Sequence, residues 1–191
     1  MNYLAHLYLA DHTHTSVAGS VLGDAVKGRL RGEYPAAIEL GIHLHRRIDS
    51  FTDSHSLVLA ACAQFEPPYR RYAGILLDIY FDFLLTQQWA SFHHEPLSVF
   101  ATRISAKIWK QWPHPPLTHS RLSGFPDVLL SYGREDGVRT ALRRVSERAS
   151  RANPMVDALP LLQSKHDVLE QTFNEFFPDL IEFVEREAAE L

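Results

Sequence analysis

Residues 35–53 read PAAIELGIHLHRRIDSFTD. Pro35 suits the first turn of a helix, because the N–H that it lacks would have no helical partner there. After it, apolar residues recur at the spacing of one helix face: Ile38, Ile42, Leu44, Ile48 and Phe51. The stretch therefore predicts a long amphipathic helix, and the rest of the chain can be read outward from it.

Helical spacing dominates the other segments as well. No segment alternates strictly between apolar and polar residues, as a half-buried β-strand would, and no Asn-Gly or Asp-Gly turn joins β-rich segments. Further helices are predicted over 2–10, from Ser16 or Ser20 to Gly28, over 69–89, from Pro96 through Ile108, over 124–132, over 136–151, and from Pro160 onward with an interruption near Pro178. Because no repeat or long linker divides the chain, we predict one all-α domain over residues 1–191, a single-domain helical bundle.

Composition excludes several classes of protein. The chain has 191 residues, 46% of them hydrophobic and 22% charged, as in an ordinary globular protein. One cysteine, Cys62, cannot form an internal disulfide, and a net charge of −4 argues against a nucleic-acid binder. No apolar run approaches the roughly 20 residues that span a bilayer, and the N-terminus lacks the positive region of a signal peptide. We therefore expect a cytoplasmic protein with neither nucleic acid nor membrane as partner.

The helix predicted from Pro35 carries the first candidate site. At 100° per residue, His45, Asp49 and Asp53 fall within about 80° of one face, with Arg46 beside them, whereas His43 points about 160° away from His45. A histidine and two carboxylates at four-residue spacing suit a divalent ion such as Mn²⁺, Mg²⁺ or Fe²⁺. The alternative is a solvated face with weak ion pairs.

A second candidate lies in ILLDIYFDFLL, residues 75–85. Asp78 and Asp82 are four residues apart in a segment with almost no other polar side chain. A buried, ionised carboxylate is costly unless a cation or strong donors satisfy it, and two neighbouring carboxylates repel each other. We predict that a metal resolves this repulsion. The alternative is structural pairing with an arginine: Arg46, Arg47, Arg70 or Arg71.

Two further residues are weaker candidates. Asp24, in GDAVKG at 23–28, has small neighbours that would let a ligand approach, although an aspartate in such a place often caps a helix. His6 interrupts an apolar run and is either a ligand or a hydrogen-bonded core residue. The sequence holds no Gly-rich phosphate loop, no nucleophile elbow and no His-Glu-x-x-His helix.

These segments together resemble the acyl carrier protein phosphodiesterases, a bacterial family. The resemblance runs over essentially the whole chain in the blocks MNYLAHLYLA at 1–10, Gly23-Asp24, GIHLHRRID at 41–49, LDIYFD at 77–82, and Asp157-Ala158-Leu159 with Phe173 and Phe176-Phe177-Pro178. The family is regarded as a divergent all-α relative of the His-Asp metal-dependent phosphohydrolases. This sequence lacks the adjacent His-Asp pair of that superfamily, so ligand identities cannot be carried over from it.

The resemblance implies an activity and a cofactor. Members hydrolyse the phosphodiester that joins 4′-phosphopantetheine to a serine of holo-acyl carrier protein, usually with Mn²⁺. It also implies that the following residues belong together as metal ligands: His6, Asp24, His45, Asp49, Asp78 and Asp82.

Chemical roles can be assigned on that basis. Asp24 is our choice to orient or deprotonate the attacking water, and a site histidine, for which His45 is the candidate, would protonate the leaving serine. Arg46 or Arg47 would hold phosphate oxygens by bidentate donation. Lys27 and Arg29, just after Asp24, form a basic patch near the expected metal.

The resemblance also implies a small, strongly acidic partner, and charge along the chain is segregated. Arginines concentrate in 134–151, whereas residues 167–191 hold eight carboxylates and a single Arg186. Arg139, Arg143 and Arg144 lie on or beside one helix stripe and could steer the carrier. The alternative is pairing of this basic helix with the acidic C-terminal one.

Two other functions are alternatives to hydrolysis of the carrier protein. One is a phosphohydrolase for a nucleotide or another small phosphoester that uses the same metal site. The other is a non-catalytic helical module that binds an acidic partner through its arginines. The oligomeric state is left open.

Overall fold

The computed structural model describes residues 1–113 and 124–190, and it confirms the predicted all-α class. Within these ranges the chain forms no strand and consists of eleven α-helices with two short 3₁₀ helices. The α-helices are α1 Tyr3–His12, α2 Val17–Leu22, α3 Ala36–Ser54, α4 Ser56–Ala63, α5 Ala73–Gln87, α6 Trp89–Phe92, α7 Leu97–Gln111, α8 Phe125–Ser131, α9 Glu135–Arg148, α10 Leu159–Ser164 and α11 His166–Glu190. The 3₁₀ helices are Arg70–Tyr72 and Met155–Asp157.

The long helix predicted from residues 35–53 is α3, and its apolar stripe is buried as expected. Ile42, Leu44 and Ile48 are fully enclosed, and this burial is the main source of stability for a helix in water. Phe51 is only half-buried and stacks on Phe183 of α11, with ring centroids 4.2 Å apart. The helix therefore has one side in the core, and the adjoining side is free to carry polar groups.

Several local predictions were wrong. The helix predicted from Ser16 or Ser20 to Gly28 is α2, which ends at Leu22. Residues 56–63 form α4, which the sequence analysis did not identify because SLVLAACA is apolar all round rather than amphipathic. The single helix predicted over 69–89 is a 3₁₀ turn, α5 and the start of α6. Pro178 lies inside α11 and does not interrupt it, since the buried side chains on both sides hold the helix together: Phe173, Phe176, Phe177, Leu180 and Val184.

Two glycines bring α2 and α3 into backbone contact. A Cβ atom on Gly19 would lie 2.4 Å from the Ile38 carbonyl oxygen, and one on Gly41 would lie 2.6 Å from the Ser16 carbonyl oxygen. Ser16 is the N-cap of α2, and its hydroxyl accepts a hydrogen bond from the Gly19 N–H. The close approach fixes the residues that follow α2, including Asp24, over α3.

No helix in the described ranges is long and apolar enough to cross a membrane.

Candidate metal centre

The candidate centre forms where α1, α3 and the turn after α2 meet. His6 comes from α1, Asp24 follows α2, and His45 and Asp49 lie one turn apart on α3. His45 is buried and faces this meeting point, whereas His43 is exposed on the other side of the helix. The structure thus places His45, not His43, at the site, as the helical angle between them requires. Asp53 is exposed and lies outside the cluster.

Asp49 contacts both histidines through different oxygens. Its Oδ1 lies 3.0 Å from His6 Nε2, and its Oδ2 lies 3.2 Å from His45 Nε2. Asp24 Oδ1 approaches the same His45 nitrogen from the exposed side, at 3.5 Å. One ligand atom from each of His6, His45 and Asp49 can be chosen so that all lie within 4.8 Å of one another, and no other such group of three occurs among the described residues.

Three of the four ring nitrogens of His6 and His45 are buried without a hydrogen-bond partner. His45 Nε2 faces two carboxylates, but neither contact has hydrogen-bond geometry, and His45 Nδ1 and His6 Nδ1 also have no partner. Buried polar atoms are normally hydrogen-bonded, and an exception requires an explanation. Two imidazoles and a carboxylate are a common ligand set for divalent transition metals. These residues therefore fit a metal ion, held by His6, His45 and Asp49 with Asp24 on the open side.

The charges in the cluster shift its pKa values strongly. Burial, followed by the neighbouring His45, lowers the pKa of His6 to about 4. Burial alone would lower the pKa of His45, but Asp24 and Asp49 raise it above its usual value. Burial would likewise raise the pKa of Asp49, yet His45 and His6 hold it far below the usual range. The close approach of the His45 imidazole lowers the pKa of Asp24. Both carboxylates are therefore ionised at neutral pH, as metal binding requires.

Asp78 lies beside the centre and contacts the N-terminus. The Met1 amino group lies 2.9 Å from Asp78 Oδ1 and 3.6 Å from Asp49 Oδ1. Burial would lower the pKa of this amine, but Asp78 and Asp49 raise it to about 10. Burial raises the pKa of Asp78. The structure thus gives Asp78 a resident cation, although not one of the arginines that the sequence analysis considered.

Asp82 has a different role in the structure from the predicted one. Its two oxygens accept hydrogen bonds from the Leu4 and Ala5 N–H groups, at 2.8 and 3.0 Å. Burial raises its pKa to about 7, although both N–H donors oppose the shift. It therefore satisfies two free N–H groups at the start of α1, the helix that carries His6. The structure does not bring Asp82 to the cluster.

The two arginines on α3 are already engaged. Arg46 donates from Nη1 to the Gly28 carbonyl and from Nη2 to the Val26 carbonyl, both at 2.8 Å. Arg47 makes a bidentate ion pair with Glu187 of α11, at 2.6 and 2.7 Å. Neither guanidinium faces the cluster as a free phosphate binder, so the structure gives no support to that predicted role.

The remaining predicted residues lie on the surface. Lys27 and Arg29 are exposed in the turn that follows Asp24. Arg139, Arg143 and Arg144 are exposed on α9, within the basic helix predicted over 136–151. Of these five exposed basic residues, Lys27 and Arg29 are thus nearest in the chain to a residue of the cluster.

Sequence reasoning missed one residue that shapes the centre, Gly23. A Cβ atom there would lie 2.2 Å from His45 Cγ, so the imidazole occupies the space that any side chain would need. The available signal was the small residue directly before Asp24. Its meaning depends on the contact between α2 and α3, which a single sequence does not show.

Comparisons with known proteins agree on one family. The family model described as acyl carrier protein phosphodiesterase matches residues 1–180. A protein of Klebsiella pneumoniae (strain 342) with the same name is 34% identical over 189 residues, which cover 97% of this chain and 98% of the relative. One of Escherichia coli O6:H1, also so named, is 31% identical over 192 residues, covering 98% of this chain and all of the relative.

The search of solved structures found no match. The comparisons do not confirm the relationship to the His-Asp phosphohydrolases, which stays a prediction. A family match over residues 1–180 and two relatives above 30% identity establish what the sequence blocks had indicated: this chain belongs to the acyl carrier protein phosphodiesterase family.

Proposed function

We propose that the chain hydrolyses the phosphodiester between 4′-phosphopantetheine and the carrier serine of holo-acyl carrier protein at the His6–His45–Asp49 centre. Family membership supports the reaction. The observation that carries its location is the pair of buried histidines beside an ionised carboxylate, three of whose four ring nitrogens have no hydrogen-bond partner. We further propose a cytoplasmic location, since a chain with a single cysteine shows no sign of a disulfide framework.

His6, His45 and Asp49 would hold a divalent cation, and Asp24 would complete the set from the exposed side. We propose Mn²⁺, with Mg²⁺ or Fe²⁺ as alternatives, because imidazole and carboxylate together suit borderline and hard ions. When bound, such an ion withdraws charge from a phosphate oxygen and lowers the pKa of water. We place Asp78 next to this set, where its carboxylate adds to the local negative charge.

Asp24 is the general base in this proposal. Its carboxylate is well exposed, in contrast to the buried histidine that it contacts, so substrate and water can reach it. Its lowered pKa keeps it ionised and able to accept a proton from the attacking water. The water oxygen bonds to phosphorus, and the phosphorus–oxygen bond to the serine breaks. The proton that Asp24 accepted then passes to the serine oxygen, directly or through solvent, which yields the apo-carrier and 4′-phosphopantetheine.

His45 cannot use one nitrogen as metal ligand and as proton donor at the same time. Its burial and its contacts with Asp24 and Asp49 favour the ligand role. The non-bridging phosphate oxygens would then contact Lys27 and Arg29, which follow Asp24 in the same turn and are free in solvent. Arg46 would act indirectly, by holding the carbonyls of this turn.

Mass spectrometry of holo-carrier incubated with the protein and Mn²⁺ tests the reaction. We expect loss of the phosphopantetheine mass, dependent on metal and abolished by Asp24→Asn. The matched control is Asp53→Asn, an exposed aspartate on α3 outside the cluster. Turnover of nucleotides or other small phosphoesters without any change in the carrier would contradict the proposal and favour the small-substrate alternative.

A further inference from the structure

The solvent face of α9 carries four arginines and three carboxylates, those of Glu135, Asp136 and Glu147. Gly137, Val138 and Leu142 are buried and anchor the helix, while its arginines project outward and are exposed: Arg139, Arg143, Arg144 and Arg148. We call these four residues the arginine face. Exposed arginines that have no partner within the protein can attract a negatively charged partner, although the chain as a whole has a net charge of −4.

Charge pairing within the chain does not account for the arginine face. Other cations have carboxylate partners, such as Arg47 with Glu187 and Arg103 with Asp11. None of the four arginines forms an ion pair with a carboxylate in the part of the chain that the structure describes. Residues 114–123 contain neither Asp nor Glu.

The acidic C-terminal helix has other partners. Within the described ranges, the α11 carboxylates that have a basic side chain within 4 Å are contacted by residues of α1, α3, α11 itself or the residue before α4. The pairing of the basic and acidic helices that the sequence left open is therefore not seen. The arginine face stays available to a partner outside the chain.

A series of neighbouring residues connects the arginine face with the metal centre. A Cβ atom on Gly137 would collide with the Ser131 carbonyl, so α9 packs directly on the end of α8, next to Tyr132. Burial raises the pKa of the Tyr132 phenol, and the nearby charge of Arg144 opposes this rise. Tyr132 hydrogen-bonds the Asn2 side chain, and Asn2 follows Met1, whose amine lies 3.6 Å from Asp49.

We propose that the arginine face is the docking surface for the carrier protein and binds a negatively charged helical surface of it. This inference rests on the proposed function, because it names where the substrate of that reaction is held. Long-range attraction between such surfaces raises the association rate and weakens as salt is added.

An acidic protein fits this surface better than a nucleic acid does. A nucleic-acid binder neutralises many phosphates and carries a net positive charge, whereas this chain has more carboxylates than cations. Four arginines on one short helix are complementary to a partner whose negative charge is also confined to a small part of its surface. Binding of a DNA duplex is therefore an outcome of the test and not a second proposal.

Binding of the apo-carrier tests docking apart from catalysis, because the apo form has no phosphodiester to hydrolyse. We would measure its Kd by fluorescence anisotropy for the wild type and for the triple variant Arg139→Glu, Arg143→Glu, Arg144→Glu. The expected result is a rise in Kd of about tenfold or more, with a weaker dependence on salt between 50 and 200 mM. Arg186→Glu, the same charge reversal at a single arginine of α11, is expected to leave Kd within about twofold.

Each other outcome is decisive. A triple variant with native helix content and an unchanged Kd overturns the docking surface, and so does an equal effect of Arg186→Glu. Displacement of the carrier by an equimolar DNA duplex overturns the preference for an acidic protein. If the triple Glu variant does not fold, the triple Gln variant replaces it, with an expected rise of about threefold or more. If the wild type hydrolyses holo-carrier but no variant changes Kd, only the docking surface is refuted. If the wild type binds the carrier but does not hydrolyse the holo form, the proposed function is refuted.

Discussion

The imidazole rings of His6 and His45 stack face to face, with centroids 3.9 Å apart and planes inclined by 17°. Two imidazolium cations at this distance would repel each other strongly, so the arrangement keeps at least one ring neutral. His6 is that ring, since burial, with His45 as the next contribution, lowers its pKa to about 4. A neutral imidazole next to an ionised Asp49 is prepared to bind a metal without first losing a proton.

Replacement of His45 tests this arrangement directly. We expect His45→Ala to raise the Kd for Mn²⁺, measured by calorimetry, by about 100-fold or more, because loss of even an indirect partner of a metal costs 10 to 100-fold. Hydrolysis of holo-carrier should fall in parallel. The control is His43→Ala, an exposed histidine two residues away on the same helix, which should change neither value. Equal loss of metal from both variants would contradict the assignment.

Gly23→Ala should disturb the same ring without removing a ligand. Its Cβ atom would lie 2.2 Å from His45 Cγ, so the imidazole must move. A displacement of about 1 Å can cost a factor near 100 in rate, and we expect kcat for holo-carrier to fall by 10 to 100-fold. Gly74→Ala is the matched control, because nothing lies within 4 Å of a Cβ there, and it should keep full activity and raise stability slightly. A fully active Gly23→Ala protein would show that the ring position is not critical.

Arg46 should position the turn that carries Asp24. It spans two carbonyls, those of Val26 and Gly28, and lysine cannot reproduce this planar fork. We therefore expect both Arg46→Ala and Arg46→Lys to lower kcat by about tenfold or more and to speed trypsin cleavage after Lys27 and Arg29. Added guanidinium should restore part of the activity of Arg46→Ala.

The neighbouring Arg47→Ala is the control for this experiment. It removes the exposed pair with Glu187, and such pairs contribute little to stability. Its kcat should stay near that of the wild type, with no faster cleavage of the turn. A variant of Arg46 that raises KM alone, with the turn still protected from trypsin, would instead support the phosphate-binding role.

The helices could be predicted from the sequence, and so could two residues of the centre, His45 and Asp49, because both follow from helical periodicity. The 100° rotation per residue placed His45 and Asp49 on one face and set His43 apart, and the structure agrees. The apolar surroundings of Asp78 and Asp82 likewise indicated burial, and Asp82 is fully enclosed.

What could not be predicted was the partner of each charged group. Asp82 binds N–H groups 77 and 78 residues earlier in the chain, and Arg47 binds Glu187, 140 residues away. Such pairings depend on how helices pack, and a single sequence contains no record of that. For the same reason, burial of Asp82 was interpreted as a sign of metal binding, although backbone donors satisfy it.

Asp82→Asn distinguishes these two roles. An amide offers one acceptor instead of two and points its NH₂ at a backbone N–H, so we expect the free energy of unfolding to fall by about 1–3 kcal/mol in urea titrations. Mn²⁺ affinity should change much less, by under about tenfold, since His6 is displaced only through α1. A 100-fold loss of Mn²⁺ affinity at unchanged stability would show that Asp82 is itself a ligand.

The ion pairs of Asp11 predict how stability changes with pH. Asp11 is mostly buried and accepts hydrogen bonds from Arg103 at 2.8 and 3.1 Å and from Lys107 at 2.9 Å. Burial would raise the pKa of Asp11, but Arg103 and Lys107 lower it below the usual 3.8. Its contribution is therefore complete above pH 3.8 and is lost as the pH falls through the lower pKa of the folded state.

Asp11→Asn should accordingly reduce the free energy of unfolding by about 1 kcal/mol at pH 7, a modest value because Arg103 is partly exposed and screened by solvent. Urea titrations between pH 7 and pH 2.5 should show the difference from wild type shrinking only at the acidic end. Asp53→Asn, at an exposed aspartate, should show almost no difference at any pH. A deficit in Asp11→Asn that stays constant down to the lowest pH would mean that packing of the side chain, and not its charge, provides the stabilisation.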